Sequence, residues 1–393
     1  MGDRPTIVVA GAGIGGLTAA LTIARAGFRV VVAERSAELT EIGAGIQLSP
    51  NAAVVLNALG LETALAKVST EPSEIAIRSG VTGDTLATLP AGAFANRYGA
   101  PYRVVRRVDL QAVLLEAVRR NDDITLVLGT TVDDALPRAG ALLVRIGRDD
   151  GGESISAVGL IGADGVWSGL RRQISGANAA RFAGRTAWRT VIPIEDAPSF
   201  LRPEAVGLWL GPQAHLVHYP IAKGAAVNVV AIVEDADDRP GWDTDADRHL
   251  IAERFRDWCP EVKAVAGASS PWRKFSLNTV DPTGRWVEGR TALLGDAAHA
   301  MVPFLAQGAA MAIEDAAVLG RALAAWPGDV PAALAAYEAD RRPRVTRVWN
   351  SAWRTGRHYH QTGILAAARD LVLRSVGPQF LLSRNDWIYR WTP

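Results

Sequence analysis

A histidine and a tyrosine stand four positions apart in a short apolar run, Ala214-His215-Leu216-Val217-His218-Tyr219-Pro220-Ile221. Side chains alternate faces along a strand, so His215, Val217 and Tyr219 share one face and His218 takes the other. One face then offers a base, an apolar wall and a phenol. A histidine near its free pKa takes a proton at neutral pH. A phenolic ring becomes more nucleophilic once ionised, so this face suits an aromatic substrate carrying a hydroxyl group. His215 is the expected base and Tyr219 the expected orienting group, with His218 in that place if the faces are reversed. The pair Trp188-Arg189, in a neighbouring run, is expected to add an aromatic ring and a guanidinium able to meet a carboxylate.

Three carboxylates close other apolar runs. Glu34 ends Phe28 to Ala33, Asp164 follows Leu160-Ile161-Gly162, and Asp296 follows Thr291 to Gly295. An acid at the carboxyl edge of an open α/β sheet sits where ligands bind, and Asp296 there can accept hydrogen bonds from a polyol. The N-terminal unit is explicit: strand Thr6 to Ala10, turn Gly11-Ala-Gly13-Ile-Gly-Gly16, helix Leu17 to Ala26, a stop at Gly27, then a strand ending at Glu34. Gly11 permits the tight turn, Gly13 lets backbone approach a pyrophosphate, and Gly16 lets the helix pack on the strand. The helix N-terminus offers free N–H groups to phosphate. Glu34 lies about 20 residues on, where a carboxylate binds a ribose diol. The glycines alone do not separate NAD from FAD.

Three later stretches decide for a flavin: Gly43-Ala-Gly45-Ile-Gln47-Leu-Ser-Pro-Asn51, Leu160 to Arg171 around Asp164-Gly165, and Gly289 to Gly308 around Gly295-Asp296-Ala-Ala-His299. In these residues the chain resembles the single-component (class A) FAD-dependent aromatic hydroxylases, with salicylate hydroxylase, 6-hydroxynicotinate 3-monooxygenase and 3-hydroxybenzoate 6-hydroxylase as the relatives in view. The likeness runs from about residue 6 to about residue 345. It implies FAD as cofactor and NADH or NADPH as transient co-substrate. It also implies O2 adding at flavin C4a to give the hydroperoxide that hydroxylates a hydroxybenzoate or hydroxynicotinate, with or without decarboxylation. It implies that Asp296 holds the ribityl chain, Asp164 lies near the pyrophosphate, Arg107 contacts FAD and Pro303 lies at the flavin edge. Gln307-Gly308 opens a helix whose N-terminus stabilises negative charge on reduced flavin, with Ala309 beside it. Arg35 next to Glu34 is expected at the cofactor, and Gln47 at both cofactor and substrate. His299 is read as holding the flavin loop, and Asp109 as the N-cap of a helix over Leu110 to Arg119.

The fold expected is α/β: a Rossmann-like FAD-binding domain with an inserted antiparallel-sheet substrate domain and C-terminal helices. The flavin parts are 1–72, 105–179 and 285–328. The substrate parts are an excursion over 73–104 and a sheet over 180–284, and helices fill 329–393. Strands are expected over Thr186 to Ile194, Ala205 to Leu210, Ala214 to Ile221, Ala225 to Glu234 and Trp272 to Leu277.

Composition removes other classes. A net charge of +1, from 42 basic and 41 acidic residues, gives no surplus for nucleic acid. One cysteine allows no intrachain disulfide and no multi-thiolate metal site. No stretch reads as a membrane span, and a cytoplasmic monomer or homodimer without metal is expected. Two alternatives stay open: a flavin-dependent halogenase, whose Trp-x-Trp-x-Ile-Pro pattern is half met by Trp188-Arg-Thr-Val-Ile-Pro193, and a non-enzymatic binding protein on the same fold.

Overall fold

The computed structural model describes residues 4–39, 45–147, 152–202, 204–236, 244–267 and 271–393. Gly43 and Ala44 of the second motif lie outside these. Thr6–Ala10 forms the central strand of a six-stranded sheet. It pairs in parallel with Arg29–Glu34 on one side and Gly159–Gly162 on the other. Thr291–Leu293 extends the sheet in parallel beyond Gly159–Gly162, and Ile124–Leu128 does so beyond Arg29–Glu34. Val287–Glu288 closes one edge antiparallel. Ile7, Val8 and Val9 are wholly buried, as β-branched residues are when helices cover both faces.

The helix Ile14–Arg25 begins three residues before its expected start and ends where Gly27 turns to φ +95°. It packs on a second helix, Gly308–Ala325, at very short range. A Cβ on Gly320 would stand 2.7 Å from the Thr22 Cβ, and the Thr22 hydroxyl donates to the Ala316 carbonyl at 2.7 Å. A third helix, Arg107–Arg119, starts earlier than the pattern predicts, so Asp109 is not its N-cap. The carboxylate sits in the first turn, where it suits the helix dipole, and accepts two bonds from Arg106 at 2.6 Å.

The second large sheet has eight strands. Five match the expected runs: Ala180–Pro193, Ala205–Gly211, Ala214–Ile221, Ala226–Glu234 and Trp272–Val280. Glu74–Ser79 and Thr85–Pro90 join from the first half of the chain. Neighbours pair antiparallel throughout, except that Ala205–Gly211 lies parallel to Glu74–Ser79. A parallel pair needs a long connection, and here more than a hundred residues separate the two strands in the chain. A 30-residue helix, Val330–Tyr359, then runs back past both sheets. Among the described residues no helix is long and apolar enough to cross a membrane.

Candidate functional site

The four parallel strands that end at Leu293, Gly162, Ala10 and Glu34 lie side by side in that order. Their carboxyl ends therefore line up Asp296, Asp164, the glycine turn and Glu34 along one edge. With strands about 4.8 Å apart, that row spans roughly 14 Å, a length suited to an extended dinucleotide. Within it the glycines divide by role. A Cβ on Gly11 would stand 2.5 Å from the Ala163 carbonyl oxygen, and one on Gly16 would stand 1.9 Å from that of Gly11. Those two glycines let the backbone close on itself. A Cβ on Gly13, Gly165 or Gly308 would meet nothing within 4 Å. These three border open space at the turn, beside Asp164 and at the start of the Gly308–Ala325 helix.

Glu34 holds the turn in shape, accepting from the Ala12 N–H at 2.7 Å and the Ser36 N–H at 2.9 Å. Arg35, next to it, is exposed. Gln111, which sequence reasoning missed, donates to the Ala12 carbonyl at 3.0 Å from the helix that Arg107 opens. Asp164 accepts from the Gly169 N–H at 2.8 Å through one oxygen, while its other oxygen is buried without a protein partner. The Asp296 carboxylate is exposed at the start of its own short helix. An orphaned carboxylate oxygen, an exposed acid and three glycines facing space fit a bound FAD.

Behind this edge lies a buried charge network. His299 Nε2 meets Asp315 at 2.6 Å, and the same carboxylate takes the Gly295 N–H at 3.0 Å. Arg341 bonds Asp315 and Glu314, each at 2.7 Å. Glu314 also receives Arg344 and, at 2.7 Å, Asn51. Burial alone raises the Asp315 carboxyl, but His299 and Arg341 outweigh it and hold the group below its usual range. Asn51 in turn donates to Gln307 at 3.0 Å, and Gln307 donates to Ser49 at 2.9 Å. The network thus fixes the loops on either side of Gly308 and Ala309. His299 has a structural place in it and is wholly buried.

The face expected to meet a substrate follows the predicted alternation. Across the ladder, His215 pairs with Ile232, Val217 with Val230 and Tyr219 with Asn228. One strand further, Val230 pairs with Arg189. His215, Tyr219, Arg189 and Asn228 therefore share a face. The Pro303–Leu305 turn packs against it, with the Phe304 ring 5.2 Å from that of His215. Gly45 is the other neighbour: a Cβ there would stand 2.5 Å from the Tyr219 ring. Two residues on, Gln47 accepts the Tyr102 hydroxyl at 2.5 Å. Motifs from three distant parts of the chain thus meet around one sheet face.

Burial first, then His360 and Arg185, holds the His215 imidazole well below its usual range, so it rests neutral and can accept a proton. Burial pushes the Tyr219 phenol above its usual range, with Arg189 and Asn228 pulling the other way, so it stays a donor. Arg189 also lies over the Phe275 ring at 5.0 Å. Trp188 corrects the expectation. Adjacent residues on a strand face opposite ways, and Trp188 packs with Ile192, Trp209 and Trp258 in a core on the far side of the sheet. His218 lies on that far side too, 6.3 Å from Trp209. Sequence reasoning missed Phe304, Asn228 and above all His360, whose Nε2 stands 2.9 Å from His215 Nδ1.

Comparison with known proteins agrees with this edge. Residues 4–352 match the FAD binding domain family. The chain belongs to that family, and its cofactor is FAD. It is 35% identical over 395 residues to 3-hydroxybenzoate 6-hydroxylase of Polaromonas naphthalenivorans, covering 100% of this chain and 98% of the relative. It is 35% identical over 355 residues to 6-hydroxynicotinate 3-monooxygenase of Pseudomonas fluorescens, covering 88% and 90%. A solved structure of Klebsiella pneumoniae HpxO complexed with FAD and uric acid superposes with a TM-score of 0.82 at 26% identity, covering 97% of this chain and 95% of that one.

Proposed function

We propose that this flavoprotein is an aromatic-ring monooxygenase that hydroxylates a small aromatic acid or phenol of hydroxybenzoate or hydroxynicotinate type, using NAD(P)H and O2. The observation that carries the reading is the contact between Phe304 and His215, 5.2 Å between ring centroids. It sets the one face with a base, a phenol and a guanidinium against the turn that leads into Gly308. FAD, when bound, supplies electron transfer from NAD(P)H and the activation of oxygen. Glu34, Arg35, Arg107, Asp164 and Asp296 would hold it along the sheet edge, with Gly308, Ala309 and Pro303 near its ring.

The chain's own side chains prepare the substrate. His215 Nε2 accepts the phenolic proton, which makes the ring electron-rich. The Tyr219 hydroxyl donates to the substrate oxygen, and Arg189 pairs with its carboxylate. Phe304 covers the pocket and excludes water. In this reading the flavin parts are 1–72, 105–179 and 285–328, the substrate parts 73–104 and 180–284, and the helical tail 329–393. The relatives named for 3-hydroxybenzoate and 6-hydroxynicotinate support the substrate class. The test is NAD(P)H oxidation by the FAD-loaded protein against a panel of hydroxybenzoates and hydroxynicotinates, with product masses. One oxygen atom gained by a panel member is the expected result. NAD(P)H consumption with peroxide and no oxygenated product from any of them would rule the reading out.

A further inference from the structure

His215 is not the end of its hydrogen-bond chain. Its Nδ1 stands 2.9 Å from His360 Nε2, and the rings are 5.1 Å apart. His360 Nδ1 stands 3.3 Å from a carboxylate oxygen of Glu234. The two imidazoles are buried, whereas the Glu234 side chain is 37% exposed. Glu234 lines a surface cleft with Asp235, Leu250 and Arg254. A line of three groups therefore joins the enclosed substrate face to water. His360 reaches it from just past the end of the Val330–Tyr359 helix, anchored by its N–H to the Gly356 carbonyl at 3.1 Å.

We propose that His215, His360 and Glu234 form a proton relay that carries the proton of a phenolic substrate to solvent, with His360 as its positioning and transfer residue. This rests on the reading of His215 as the base. The step moves one proton and no electrons. The substrate O–H bond breaks as His215 Nε2 gains the proton. His215 Nδ1–H passes its proton to His360 Nε2, and His360 Nδ1–H passes its own to the Glu234 carboxylate, which releases it to water. Each imidazole ends neutral in its other tautomer.

The surroundings favour passage over storage. Arg185 bonds Glu234 at 2.9 Å, and Arg254 lines the same cleft. Tyr359 and Phe304 pack on the His215 ring at 5.4 and 5.2 Å. Burial among these rings, with two cations nearby, disfavours a resting imidazolium. His360 is held down to about 4, by burial first, with Glu234 opposing and Arg185 and Arg254 reinforcing. A lone buried base of this kind cannot keep a proton, whereas a chain ending on an exposed carboxylate can discharge it.

The test uses the FAD-loaded protein without NAD(P)H, so that no turnover occurs. Stopped-flow mixing with 3-hydroxybenzoate follows phenolate absorbance and, through an indicator dye at low buffer, the released proton. His360→Gln keeps an amide in place of the ring but cannot relay. It is expected to slow proton release at least tenfold while the final phenolate fraction changes less than twofold, and millimolar imidazole is expected to restore the rate in His360→Ala. Glu234→Gln, at the exposed end, is expected to slow release and make it depend on buffer concentration. Release at the wild-type rate in both His360→Gln and Glu234→Gln overturns the relay alone. A wild type that binds the phenol without ionising it, or His215→Asn that ionises it as well as wild type, overturns the reading of His215 as base instead.

Discussion

Arg341 and Asp315 meet at 2.7 Å, guanidinium to carboxylate, with neither side chain exposed. Glu314 and Arg344 complete the group, so two carboxylates meet two guanidiniums deep inside the protein. Removing one partner from such a set leaves an uncompensated buried charge. Arg341→Met is therefore expected to destabilise the protein by about 3–5 kcal/mol. Urea unfolding of the FAD-loaded protein measures it. A loss below about 1 kcal/mol would show that water replaces the guanidinium.

The glycines of the first turn separate folding from binding. Gly16→Ala sets a Cβ 1.9 Å from the Gly11 carbonyl oxygen, whereas Gly13→Ala points into open space. Little folded protein is expected from Gly16→Ala. Gly13→Ala is expected to fold normally and to bind FAD about tenfold more weakly, roughly 1.4 kcal/mol. Circular dichroism and flavin-fluorescence titration distinguish the two. Equal FAD affinity in Gly13→Ala and wild type would mean that the cofactor does not approach that backbone.

His218 gives the fold an acid-sensitive element on the face of the sheet opposite His215. Burial first, then Arg78 and Arg202, lowers its pKa to about 3. An unfolded imidazole binds a proton below about 6.5. Between those values the unfolded chain holds the extra proton, so stability falls as pH falls, by up to ~1.4 kcal/mol per unit. From pH 6.5 to 5 this histidine is expected to contribute a loss of about 2 kcal/mol. Urea midpoints across that range, compared between wild type and His218→Met, read it. The variant should show the shallower decline.

In the proposed function Arg189 is the charge that selects an acid. Arg189→Met is expected to raise KM for a hydroxybenzoate about 10- to 100-fold, in keeping with loss of a charge-assisted pair worth roughly 1.5–3 kcal/mol. The KM of a phenol lacking the carboxylate should move less than about threefold. Steady-state kinetics on the two substrates decide the matter, and equal increases would place the arginine in packing alone.

What the sequence made legible was local or periodic. Glu34, Gly11 and Gly16 could be placed because strand, turn, helix and acid follow one another without interruption. His215 and Tyr219 could be placed because a strand has period two. The same rule splits Trp188 from Arg189, yet adjacency in the chain had suggested one pocket for both. Asp109 was misplaced because helix starts are weakly encoded, and the helix begins at Arg107. His360 was out of reach for another reason. It lies 145 residues from His215, in no motif, and only the path of the long helix brings it there. The parallel partner of Ala205–Gly211 was hidden for a similar reason, since a strand's own pattern does not name its neighbour.

The strand order of the flavin sheet also sets a timetable. A ribosome delivers the strand of Glu34 first, that of Asp164 later, and that of Asp296 last, although all three finish in one row. At roughly 5–20 residues per second, the roughly 260 residues between Glu34 and Asp296 take about 13–50 s. Throughout that interval Gly159–Gly162, once made, lacks its outer partner, and the nucleotide cradle is open at one end. A cradle bounded by all three acids exists only once the strand ahead of Asp296 has been synthesised, so cofactor capture is expected late in the life of each nascent chain.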